Sequence, residues 1–248
     1  MKKILIPIDF AESSARAIRY AEDVFKGQEA ELHLIHVVPA ATPGMEEVTK
    51  AFARFESEHL SQTEIPYTFL VKKGVVLLEI QHAIDELKPT VVIIGLDGGS
   101  LSKAYLRLAD CPVILIPKNS SQIKIKNIAY ANDFLNIRDS SAFGPLLDLS
   151  RTFGADIHII HVNKDNDTSL PLDKSEAAIE YYLNPVKHEY FSVNSNDIVG
   201  AIQKYVADKD IDLLTLLLRD HGTNELHSKG ELVDQLVSKS NVPILSLV

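Results

Sequence analysis

Two aspartates stand where chemistry could be done. Asp9 closes the apolar run Ile4–Ile8, Asp133 closes the run that starts at Ile128, and each is followed by a phenylalanine. A carboxylate leaving a buried strand can cap the next turn or helix, or meet a ligand from its loop. A second group follows Ile94: Gly95, Gly98, Gly99 and Ser100. Glycines let backbone come close to a phosphate, and amides at a helix start face an anion. Asp97-Gly98-Gly99-Ser100 is equally the chemistry of a tight strand-to-helix turn.

The histidines are read differently. His33 and His36, like His158 and His161, are three apart on runs of strand character. Residues so spaced face opposite sides of a strand, so neither pair can chelate one ion. His221 and His227 share a polar stretch with Asp220, Glu225 and Glu231, which are ligand types that zinc accepts. A solvated loop is the expected reading there, and no metal is assigned. Cys111 precedes a proline and a strand and reads as a small buried apolar residue. The phosphate-loop, nucleophile-elbow and zinc-protease patterns are absent from the sequence. No catalytic residue is assigned and no enzyme is expected, beyond room for a weak ATPase.

These residues need a scaffold. The chain has 248 residues, is 46% hydrophobic and carries a formal charge of −9. That composition can build a full core. The acidic balance argues against nucleic acid and anionic membrane surfaces as partners. One cysteine cannot make an intramolecular disulfide, which fits a reducing compartment. No apolar run approaches the length of a membrane span, and the run after Met1 is too short for a signal-peptide core. A soluble, cytoplasmic protein is expected.

The sequence repeats itself. Ala30–Val37 returns as Ala155–Val162, 125 residues later, with five of eight positions identical. The Asp9-Phe10 junction returns as Asp133-Phe134, and Cys111–Ile116 returns as Val242–Leu247. Three matches in one order imply two copies of one unit, residues 1–117 and 126–248, joined by a polar linker over 118–125.

Each unit alternates short apolar runs with helical stripes. In the first, strands are expected at Ile4–Ile8, Leu32–Val38, Tyr67–Val71, Val91–Ile94 and Val113–Ile116. Helices are expected around Ala17–Phe25, with Ser13 or Ser14 as N-cap, around Met45–Phe55, at Leu77–Leu87 before Pro89, and at Leu101–Leu108. The second unit copies this with stripes at Leu146–Phe153, Ser175–Leu183 and Ile198–Tyr205. Buried strands alternating with helices specify an α/β fold, here two tandem, Rossmann-like, doubly wound parallel five-stranded sheets. Ligands in such sheets sit beyond the carboxyl ends of the strands, where strand order reverses. The loops after the first and fourth strands are therefore the candidate sites.

Ile-Pro-Ile-Asp-Phe with its following serines, His-Val closing the second strand, and Cys-Pro-Val-Ile-Leu-Ile closing the unit resemble the universal stress protein family, in tandem form over nearly the whole chain. The resemblance implies strand order 3-2-1-4-5 and a stress-response protein that binds ATP or a related adenine nucleotide. In unit 1 it implies a site drawn from Pro7, Asp9, Val37, Gly95, Gly98, Gly99 and Ser100. In unit 2 it leaves Asp133 and Gly230. ATP-binding members carry Gly-x2-Gly-x9-Gly-Ser after the fourth strand, and both copies here depart from it. Unit 1 has Gly98 and Gly99 adjacent, so the nine-residue spacer is missing. Unit 2 keeps the spacer but has Leu217, Asp220 and Glu231 where Gly, Gly and Ser belong. Two readings follow: a regulatory scaffold with degenerate loops and an unidentified protein partner, or an ATP-binding regulatory module using unit 1. The resemblance also implies pairing of the last strands, Val113–Ile116 with Ile244–Leu247, as an internal pseudo-dimer, with a further homodimer left open.

Overall fold

The computed structural model describes residues 1–41, 44–97, 111–120, 124–132, 143–163, 172–217 and 234–247, with main chain alone at 172–176 and 178. The chain divides into two compact units, Met1–Lys118 and Asn119–Val248.

Unit 1 runs β1 (Lys2–Pro7), α1 (Glu12–Phe25), β2 (Ala30–Val38), α2 (Glu46–His59), β3 (Tyr67–Lys73), α3 (Val76–Leu87), β4 (Val91–Gly95) and β5 (Val113–Ile116). Its strands are all parallel in the order β3-β2-β1-β4-β5. Unit 2 runs β6 (Asn127–Ala131), α4 (Gly144–Phe153), β7 (Asp156–Asn163), α5 (Leu172–Leu183), β8 (His188–Asn194), α6 (Ile198–Asp208), β9 (Leu213–Leu217) and β10 (Ile244–Leu247). It repeats the order as β8-β7-β6-β9-β10, again parallel. A further helix occupies 234–239.

The physical reason is the sequence pattern. β1 and β4 are apolar on both faces, and Ile4, Ile6 and Ile93 have no exposed surface. Such strands are stable only between two layers of helix. Chain direction across the sheet reverses after β3, so right-handed crossovers put α1 and α2 on one face and α3 on the other. Cys111 is buried, as its context implied. Among the described residues no helix is long and apolar enough to cross a membrane.

Two local expectations are corrected. The N-cap of α1 is Ala11, which makes no side-chain cap bond; the capping is done from one turn away by Asp9 and Ser14. β3 extends to Lys73, because Gly74 N still donates to Val38 O at 2.9 Å. The helix expected at Leu101–Leu108 lies outside the described residues.

In unit 2 α5 is tied to the edge strand β8 through one histidine. His188 Nδ1 lies 2.9 Å from Val186 O and Nε2 lies 2.8 Å from Glu180 Oε2. Both partners are acceptors, so both ring nitrogens must donate, which requires the imidazolium. Burial pulls the His188 pKa down, but the bonds to Glu180 and Val186 outweigh it and hold it above 6.5. A raised histidine pKa stabilises the fold fully below the unfolded value and loses that contribution as pH rises through the folded one. The α5–β8 contact should therefore weaken above pH 6.5. Denaturant titrations from acid to mildly alkaline pH should show a stability loss that Glu180→Gln flattens, and NMR of His188 should show a midpoint above 6.5.

Candidate functional site

The site of unit 1 is built around the start of α1. β1 ends at Pro7, which pairs in register with Ile35 of β2, and Ile8 N still donates to Ile35 O at 2.8 Å. Asp9 therefore leaves the sheet level with Val37. Its carboxylate is exposed, but Oδ1 is engaged twice: Ala11 N donates to it at 3.0 Å and Ser14 Oγ at 2.6 Å. Ser14 Oγ in turn accepts from Asp9 N at 2.9 Å. This reciprocal pair satisfies donors that a helix start leaves open. Asp9 thus serves as a cap in this structure while its carboxylate remains at the surface.

The turn is held from below by aromatic rings. Phe10 has φ of 65°, a region that bulky side chains avoid. Its ring packs 4.4 Å from the His36 ring, 5.9 Å from Phe55 and 6.2 Å from Phe69, with Phe52 stacked on Phe69 at 3.7 Å. His36 Nδ1 also reaches Ile8 O at 2.8 Å. The turn is strained locally, and packing of the half-buried ring against its aromatic neighbours compensates. His33 meets Thr68 Oγ1 instead, at 3.0 Å, so the two histidines serve different partners, as their spacing required. His158 and His161 diverge likewise, toward Tyr205 and the Asn132 carbonyl.

On the other side of the crevice, Gly95 ends β4. A Cβ on Gly95 would lie 1.8 Å from Ser13 O. The glycine is therefore required for α1 to sit on the end of β4. Three residues beyond Ser13, Arg16 fastens this contact. Its Nη2 donates to Leu96 O at 2.7 Å and to Asp97 Oδ1 at 2.8 Å. The Arg16 hydrogen bond, aided by Ser13, holds the Asp97 carboxyl below its ordinary value. Helix α1 thus joins the two loops: Asp9 caps it, and Leu96 and Asp97 are clamped to its second turn.

Sequence reading missed Arg16, Asp97 and the Phe10 cluster. Arg16 lies between the buried helix positions Ala15 and Ala17, and only the fold reveals the strand end beside it. The Asp-Phe duplication was visible, but not that the ring would hold a left-handed turn. In unit 2, Leu217 occupies the place of Gly95 at the end of β9. Asn132 is buried there, with His161 Nδ1 against its carbonyl at 3.0 Å. Gly98, Gly99, Ser100, Asp133, Asp220, His221, Glu225, His227, Gly230 and Glu231 lie outside the described residues.

A doubly wound parallel sheet with a capped, clamped crevice at its switch point is the class that this geometry defines. Comparison narrows it. Residues 1–117 match the model of the Universal stress protein family. No curated protein sequence matches the chain. The crystal structure of a universal stress protein from Archaeoglobus fulgidus DSM 4304 is similar at TM-score 0.76 and 17% identity, over 99% of this chain and 95% of that one. A functionally unknown protein from Pseudomonas aeruginosa PAO1 is similar at TM-score 0.70 and 13% identity, over 100% of this chain and 92% of that one. At these identities the likeness is one of fold. Residues 1–117 therefore form a domain of the universal stress protein family, and the second unit repeats the same strand order.

Gly95→Ala should destabilise unit 1 by about 3 kcal/mol, the upper end of ordinary overpacking, because the clash is with backbone. Arg16→Ala should cost about 1–3 kcal/mol, since the Leu96 carbonyl and Asp97 lose a charged donor. A depressed carboxyl contributes above its unfolded pKa of 3.8 and loses the contribution as pH falls through the folded value. The Arg16→Ala deficit measured by urea titration should therefore be full at pH 7 and shrink in strong acid.

Proposed function

We propose that the chain is a non-catalytic stress-response regulator that acts as a scaffold for protein contacts, with both nucleotide crevices degenerate. The Arg16–Asp97 clamp carries this reading. The segment that leaves β4 begins with a carbonyl and a carboxylate held by one guanidinium. The Arg16 guanidinium is thereby spent on Asp97 and is not free to meet a phosphate at the end of β4. Gly95 is already committed to packing against Ser13. Leu217 at the equivalent strand end of unit 2 has a side chain where a glycine would leave room for backbone approach. The same reading assigns the chain to the cytoplasm, supported by its single, buried cysteine.

The alternative is an ATP-binding regulatory module using unit 1, through Pro7, Asp9, Val37, Gly95, Gly98, Gly99 and Ser100. It is favoured by one observation: Asp9 keeps an exposed carboxylate level with the end of β2.

Calorimetric titration with ATP and magnesium separates the two. The scaffold reading expects no binding at roughly millimolar nucleotide, the affinity floor of a useful site. Adenine nucleotide co-purifying with the protein, detected by mass spectrometry, would overturn it. If that engagement of Arg16 is the barrier, Asp97→Asn should tighten nucleotide binding roughly tenfold, the equivalent of about 1.4 kcal/mol. Asp9→Ala should weaken any binding that exists.

A further inference from the structure

Unit 2 has a cavity of about 260 Å³ at the amino ends of β9 and β10, the opposite end of its sheet from Asn132 and Leu217. Its apolar wall is Val206, Ile211, Leu214, Leu236 and Val242. Gln203 and Ala207 face it from consecutive turns of α6. The duplicated helix in unit 1 shows what is unusual about that pair. α3 and α6 correspond at an offset of 122 residues, so Gln203 stands where unit 1 has Gln81, and Ala207 where it has Asp85. In unit 1 Gln81 Nε2 donates to Asp85 Oδ1 at 2.8 Å. In unit 2 the acceptor is gone, and Gln203 Nε2 is buried with no hydrogen-bond partner. Alanine in place of aspartate leaves the amide without an acceptor on its own helix, with Nε2 turned in among packed atoms. A buried donor left unmade costs free energy, and because the Gln203 side chain lies on the cavity wall, rotation of its amide toward a ligand oxygen would recover it.

The wall also sets the charge of an occupant. α6 ends at Asp208 and the last helix ends at residue 239, so two helix carboxyl ends meet the cavity and lend it negative potential. Asp210 and Asp212 line it too, against Lys239. Asp212 Oδ2 already accepts from Lys126 N at 2.7 Å and Asn127 N at 3.0 Å, so it is fixed in place. Two carboxylates and two helix ends against one ammonium disfavour an anionic ligand. The volume is just below that of drug-sized pockets, about 300–1,000 Å³.

We propose that this cavity is a binding site for a small neutral amphiphile. The ligand has an apolar body, one amide, ketone or hydroxyl oxygen that accepts from Gln203 Nε2, and no anionic group.

Hexanamide and hexanoate share a hydrocarbon chain and differ in charge, so they test both halves of the proposal. In NMR titrations of the full chain, hexanamide should shift the Gln203 side-chain amide and the Leu236 and Val242 backbone signals. Its dissociation constant should be on the order of 1 mM, as for a ligand of few atoms, with hexanoate at least tenfold weaker. Ala207→Asp returns to the glutamine the partner that Asp85 gives Gln81, and should weaken hexanamide at least tenfold. Gln203→Leu keeps the cavity apolar, removes the donor and should do the same, which decides the matter should the aspartate variant fold poorly. Hexanamide leaving those signals unmoved up to its solubility, hexanoate binding equally well, or a folded variant binding like the wild type would overturn the proposal.

Discussion

The Ser13 carbonyl lies where any side chain at position 95 would have to begin, and the crevice of unit 1 follows from that contact. With no Cβ on Gly95, α1 settles onto the carboxyl end of β4. Settled there, it brings Arg16 to Leu96 and Asp97 and brings Ser14 to Asp9. The two loops that flank the switch point are thus fixed by one helix start. The strained turn at Phe10 is tolerable because its half-buried ring packs against His36 and three phenylalanines. Loss of the glycine would disturb the Arg16 bonds first, since they depend most directly on how α1 sits on the end of β4.

Unit 2 keeps the topology and changes these details. Leu217 replaces the glycine, and Asn132 stands where unit 1 has Ile8. One bond persists across the copies: the histidine closing the second strand reaches the backbone at the end of the first, as His36 to Ile8 and as His161 to Asn132. A parallel sheet fixes the register of neighbouring strands, so a histidine at that level always finds that carbonyl. What has drifted is the set of side chains around the crevice and, at the other end of the sheet, the Gln-Asp pair of α3, which α6 has reduced to a glutamine alone. Strand order tolerates such drift because it rests on apolar burial and chain direction, which these substitutions leave intact.

Strand number, strand order and the duplication were legible from the residues, because apolar runs such as Val91–Ile94 have no stable place except between helix layers and because Ala30–Val37 recurs almost intact. The helix ends were less legible. Ser13 and Ser14 are good caps by type, yet the cap bonds come from Asp9 and Ser14 around Ala11. That arrangement depends on the left-handed turn at Phe10, which no local propensity favours.

The sequence by itself determined the repeat, the α/β class and the level in the sheet at which Asp9, Val37 and Gly95 lie, since these follow from periodicity and from the order of the elements. Only tertiary structure decided what those residues do: that Gly95 admits a helix backbone, that Arg16 holds Asp97, and that Gln203 has lost its partner. Each is a meeting of residues that are distant in sequence or differently surrounded in the two copies, and hydrogen bonds of that kind depend on distances that the chain acquires only when the helices pack.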